Sequence, residues 1–220
     1  MTNFYGRKIP RGADKEEIKQ LFNCSYFFHK DKKIDLRRNL LSFSRLNLEI
    51  GFGSGENLIN SAQEMSEEIF IGCDPYLRGS LLLRKKIESM NIKNVILTNL
   101  SFLELFEYIK DIYFKKILIL FPDPWPKKRH LKRRLINKNF LTLLDQISNQ
   151  QTDIIISTDN VDYQNQILYL FYLDKNFIPS TEIFGKKLFN YFGLKETKYY
   201  QKAKKSKNKS YFFLADFGRA

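Results

Sequence analysis

The sequence predicts an α/β protein built on a mostly parallel sheet with helices on both faces. Three observations lead there. Short β-rich runs alternate with amphipathic helical stretches along the chain, a pattern that produces parallel sheets. Five successive runs end in a carboxylate or amide, on the edge where open α/β sheets bind ligands. A glycine-rich turn follows the first of them.

The strands are expected at Asn47–Ile50, Ile69–Cys73, Asn94–Thr98, Lys116–Leu120 and Asp153–Ser157, with two more near 177–183 and 209–216. Helices are expected between them near 55–65, 77–90, 101–109, 131–150 and 161–173. In the 131–150 stretch Leu135, Ile136, Phe140, Leu143, Leu144 and Ile147 recur at helical spacing. Residues 1–40 are basic, aromatic and poorly periodic, so they read as an arm plus a short helix.

Composition narrows the class. At 220 residues the chain suits one large domain or one domain with an appendage. Hydrophobic residues at 43% supply a core and exclude disorder of the whole chain. No apolar run reaches the ~20 residues of a membrane span, and the N-terminus has no secretory signal. Two cysteines make no disulfide framework, and no Cys/His spacing suggests a metal. These features point to a soluble, cytoplasmic protein. The net charge of +13 favours a polyanionic partner such as nucleic acid. A codon bias towards Lys, Ile, Asn and Phe would raise the charge too, so its placement has to decide.

The first strand runs into Glu49-Ile50-Gly51-Phe52-Gly53-Ser54-Gly55-Glu56. Glycines let a strand turn tightly into a helix and let a ligand approach the backbone. A dinucleotide fingerprint would need glycine where Glu56 stands. An acid at 49 before glycines at 51, 53 and 55 resembles instead the cofactor turn of class I S-adenosylmethionine methyltransferases. Asp74, at the end of the second strand, can accept from two ribose hydroxyls.

The second element is Phe121-Pro122-Asp123-Pro124-Trp125-Pro126-Lys127, followed by Lys128-Arg129-His130-Leu131-Lys132-Arg133-Arg134. Three prolines predict an extended, stiff segment that holds Asp123 and Trp125 in set directions. Asp123, at the end of the fourth strand, is expected to face the methyl donor. Seven basic residues fall between 127 and 138 with no acid. Much of that charge falls at the start of the expected 131–150 helix, where the macrodipole disfavours cations. Broken local rules of this kind mark functional sites.

Phe121–Arg134 resembles, nearly residue for residue, the signature of the bacterial tRNA (guanine-N7)-methyltransferase family. Over about residues 40–215 the glycine turn, Asp74, Ser157-Thr158-Asp159 and Thr197-Lys198-Tyr199 match it in order. The resemblance implies a Rossmann-like class I methyltransferase fold with a mostly parallel seven-stranded sheet. It places the methyltransferase domain at 41–220 behind an arm at 1–40. It implies methyl transfer from S-adenosylmethionine to N7 of a variable-loop guanosine, position 46, of tRNA. The expected partner is tRNA, with no metal and no membrane, for a protein that is a monomer or homodimer.

Carried over position by position, the resemblance assigns Glu49, Gly51, Gly53, Gly55, Asp74, Asn99 and Asp123 to the cofactor. Asp123 is also the catalytic candidate. Lys127, Asp159, Thr197, Lys198 and Tyr200 fall at substrate positions. Tyr200 stands where the family has Glu, and Asn99 where many members have Asp. Two other readings fit part of the pattern. One is an exocyclic-amine methyltransferase, although its second proline would directly follow Asp123-Pro124. The other is a non-catalytic RNA-binding protein, against which the intact Glu49, Asp74 and Asp123 argue.

Overall fold

Strand–helix alternation produces β2 (Leu46–Ile50), α3 (Glu56–Glu64), β3 (Ile69–Cys73), α4 (Leu77–Ser89), β4 (Val95–Thr98) and α5 (Phe102–Ile109). The computed structural model describes residues 6–32, 35–174, 176–179, 194, 196–205 and 210–217. It divides between Lys110 and Asp111 into two compact units.

In the N-terminal unit the strand order is β1-β4-β3-β2, and every pair is parallel. Here β1 is the two-residue Phe27–Phe28, an addition to the seven strands expected. The register sets Ile50 beside Cys73 and Cys73 beside Thr98. Two bonds extend it: Gly51 N–H donates to the Cys73 carbonyl at 2.7 Å, and Asp74 N–H to that of Thr98 at 3.1 Å. The residues that follow β2, β3 and β4 therefore leave the sheet at one edge.

The short helix expected in the first forty residues is α1 (Lys15–Asn23), capped by the Asp14 carboxylate. A second, α2, covers Leu36–Leu41. Leu21 of α1 and Phe27 of β1 are fully buried with Leu58, Leu83 and Leu97. This part of the arm thus belongs to the core, because burying such side chains contributes about 1.5–3 kcal/mol each.

The C-terminal unit contains β5 (Lys116–Leu120), α6 (Lys138–Asp145), β6 (Asp153–Thr158), α7 (Val161–Leu173), β7 (Phe177–Pro179), α8 (Lys198–Lys205) and β8 (Tyr211–Phe217). The order is β5-β6-β8-β7, with β5 parallel to β6 and β8 antiparallel to both neighbours. The remainder of the strand expected at 177–183, and position 209, lie outside the described residues.

The expected 131–150 helix needs correction. A 3-10 turn spans Lys128–Arg133, and α6 begins only at Lys138, behind the Asn137 side chain that caps Phe140 N–H. Leu135 and Ile136 follow helical spacing but stand ahead of that cap. The basic cluster from 127 to 134 thus precedes the α-helix, and the macrodipole argument does not apply to it.

Candidate active site

In the N-terminal unit the turn after β2 uses left-handed backbone at Gly51, Gly53 and Gly55, with φ of 76°, 55° and 69°. Side chains rarely adopt that region. A Cβ on Gly51 would project into open space, so this glycine leaves room where a ligand can approach the backbone. Gly53 N–H donates to Asp74 Oδ2 at 2.9 Å, and Tyr76 N–H donates to Asp74 Oδ1 at 2.9 Å. Asp74 therefore braces the glycine turn.

Gly79 was not recognisable as a site residue. A Cβ there would meet the Gly53 carbonyl oxygen at 1.8 Å. Only glycine lets α4 come this close to the turn. Its signal was weak, one glycine inside a helical pattern.

Two side-chain oxygens at this edge are shut off from solvent without a hydrogen-bond partner, Oε2 of Glu49 and Oδ1 of Asn99. Buried acceptors are rarely left so, because each costs about 1–3 kcal/mol. Burial pushes the Glu49 carboxyl group up to about 8, and the Asp74 and Glu56 carboxylates add to the shift. The N-terminal unit therefore holds two unsatisfied acceptors, a braced carboxylate and an open backbone position at Gly51 on one sheet edge.

In the C-terminal unit, Phe121 N–H donates to the Ser157 carbonyl at 3.0 Å, placing the Asp123 loop beside the end of β6. The loop is not the extended segment expected. Phe121 and Trp125, each ahead of a proline, take φ of 50° and 43°. Left-handed backbone at bulky residues is strained and persists only where the surroundings hold it. Asp123 is exposed at the surface, and the protein packed behind its carboxyl group raises its pKa by desolvation. Asp159 follows β6, half-buried, directly ahead of the α7 cap Asn160.

The basic cluster has two parts. Lys127, Lys128, Arg129 and Lys132 are exposed. Arg133 lies over the Trp125 ring at 5.0 Å, with the His130 ring edge-on at 5.6 Å. Desolvation lowers the His130 pKa, helped by the charges of Arg133, Arg129 and Lys127. Arg134, by contrast, is 3% exposed.

Two of the tail positions have described contacts within the protein. The Thr197 hydroxyl oxygen accepts from Tyr200 N–H at 3.2 Å and starts α8. Tyr200 is 7% exposed and packs against Phe121 and Phe212. Gln201, Lys202, Lys204 and Lys205 face outward. Lys198 lies in α8, and positions 195 and 206–209 of the lysine-rich tail fall outside the described residues. Among the described residues no cluster of His, Cys, Asp or Glu could hold a metal ion, and no helix is long and apolar enough to cross a membrane.

The fold and the glycine turn with its strand-end acids define a class I methyltransferase. An antibiotic-related methyltransferase shares the fold with a TM-score of 0.58 and 19% identity, over 84% of this chain and 96% of its own. The 30S ribosomal A1408 methyltransferase of an uncultured bacterium gives 0.56 and 19%, over 84% and 95%. A family described as "Putative methyltransferase" matches residues 44–213. The tRNA (guanine-N(7)-)-methyltransferase of Wolbachia pipientis wMel is 34% identical over 216 residues, 95% of this chain and 89% of that protein. The protein of that name from Neorickettsia sennetsu is 35% identical over 147 residues, 64% of this chain and 68% of its own length. The chain belongs to the tRNA (guanine-N7)-methyltransferase family.

Proposed function

We propose that this protein transfers a methyl group from S-adenosylmethionine to N7 of a variable-loop guanosine, position 46, in tRNA, and that it works in the cytoplasm. The observation that carries the reading is the placement of Asp123, a carboxylate between the left-handed residues Phe121 and Trp125 and ahead of exposed cations. The exocyclic-amine alternative loses ground to the same loop, whose second proline is displaced by Trp125.

The residues of the N-terminal unit fit the methyl donor. Glu49 and Asn99 offer acceptors that lack partners, Asp74 stands at the end of β3 where a carboxylate can meet ribose hydroxyls, and Gly51 leaves the backbone approachable. When bound, S-adenosylmethionine supplies an electrophilic methyl group on a positively charged sulfur.

Guanine N7 carries an in-plane lone pair and no proton, so the acceptor needs no general base. The protein's task is to hold the base in line, which supplies about 7–11 kcal/mol in favourable cases. As N7 gains its methyl group the guanine becomes cationic, and Asp123 stabilises that charge from a fixed position. Lys127, Lys128, Arg129 and Lys132 contact RNA phosphates, the sequence-independent part of the affinity. Asp159, Thr197 and Lys198 are substrate positions by resemblance to the family. The deciding experiment is incubation of unmodified tRNA with labelled donor, then nucleoside analysis. N7-methylguanosine is the expected product; N6-methyladenosine or no product would refute the reading.

A further inference from the structure

Arg134 closes the most basic stretch of the chain, yet it is 3% exposed where four neighbouring cations face solvent. Its Nε donates to the Pro124 carbonyl at 2.7 Å, and its Nη1 donates to Gln166 Oε1 at 2.8 Å. The guanidinium lies over the Tyr163 ring at 4.7 Å. Its Nη2 is shut off from solvent. Nothing on this side chain is presented to a phosphate.

Its partners are tied down in turn. Gln166 Nε2 donates to the Ile136 carbonyl at 2.9 Å, and the Tyr163 hydroxyl oxygen accepts from Ile136 N–H at 2.9 Å. Tyr163 is fully buried. Together α7 and the segment leading into α6 thus grip the backbone one residue after Asp123. The next residue is Trp125, with its left-handed φ of 43°. A strained loop keeps its shape only when external bonds impose it, and the Arg134–Pro124 bond is such a restraint.

We propose that Arg134 is a positioning residue for the Asp123 loop and not a contact for RNA, an inference that rests on the methyltransferase reading for its kinetic consequence. Lysine cannot replace it, because one ammonium cannot span Pro124 and Gln166 with a planar fork. Misplacing a reacting geometry by about 1 Å costs about 10²-fold in rate. Releasing the loop should therefore lower kcat while leaving tRNA affinity intact.

The test compares Arg134→Lys with Arg129→Ala, measuring single-turnover kcat, tRNA Kd against salt concentration, and acrylamide quenching of Trp125. Trp125 is the only tryptophan in the chain, so its fluorescence reports the loop without ligand or activity. Arg134→Lys is expected to lose about 10²-fold in kcat, to keep the wild-type salt slope and to quench more readily. Arg129→Ala is expected to lower the slope by about 0.7–0.9. The proposal is overturned if Arg134→Lys lowers the slope in that way, or if its kcat and quenching match wild type. Should Arg134→Lys fail to fold, Gln166→Ala removes one partner and keeps the charge. It should show a smaller loss of kcat with increased quenching, and wild-type values of both would overturn the proposal. If wild-type protein yields no N7-methylguanosine the functional reading fails, whereas the quenching comparison still tests the restraint.

Discussion

The Tyr200 ring sits 6.2 Å from the Phe121 ring, and both lie within 6 Å of Phe212. Tyr200 stands where the family carries Glu. In this chain it packs beside the left-handed residue two places ahead of Asp123. Aromatic pairs of this kind contribute about 0.5–1.5 kcal/mol beyond their buried area.

Tyr200→Glu should therefore not improve the enzyme. A carboxylate in the cluster with Leu118, Phe212 and Leu214 would have to be buried without compensation, which costs several kcal/mol. Thermal unfolding is expected to show a clear drop in midpoint, with Tyr200→Phe close to wild type. A stable and faster Tyr200→Glu variant would return this position to the substrate.

Glu49 predicts a pH dependence. Its folded pKa of about 8 lies above the ordinary 4.5, so the folded state holds the proton more tightly than the unfolded chain. The favourable contribution is complete below pH 4.5 and is lost as the pH rises through 8. Glu49→Gln should flatten the decline of the melting temperature across that window in donor-free protein. Donor binding to the ionised carboxylate should release a proton below pH 8, visible by calorimetry in two buffers of different ionisation enthalpy. Equal heats in both buffers would remove Glu49 from the donor's charged groups.

Asp123→Asn keeps the shape of the loop and removes its charge. Loss of one preorganised electrostatic partner typically lowers the rate by ~10²–10³. The expected result is that loss in single-turnover methylation, with tRNA affinity retained. Wild-type activity should fall on acidification as the raised pKa of Asp123 is crossed. High pH should not rescue the variant, since N7 has no proton to lose; rescue would indicate proton transfer instead.

Gly79→Ala tests the packing of α4 against the glycine turn. The added Cβ would meet the Gly53 oxygen at 1.8 Å, and overpacking of this kind costs about 1–3 kcal/mol. Both the melting temperature and donor affinity should fall, because Gly53 also donates to Asp74. A variant with unchanged donor affinity would show that the turn shifts without consequence.

The sequence by itself determined the central alternation of strands and helices from β2 to β5 and the acids and amides at the strand ends. Those are local properties. Periodicity marks a strand from Lys116 to Leu120, and a glycine turn after Glu49 is legible wherever it occurs. The family's signature at Phe121–Arg134 made the chemistry legible too. Tertiary structure decided the rest. Arg134 looks like any other cation of its cluster until Gln166, 32 residues away, and Pro124 claim its guanidinium. The burial of Tyr200 beside Phe121 and Phe212 is likewise set by partners distant in sequence. The helix read at 131–150 follows one apolar period, but the Asn137 cap starts it seven residues later. In each case burial depends on neighbours distant in sequence or on a competing backbone bond. Residue type and spacing do not encode which side chain a fold will desolvate.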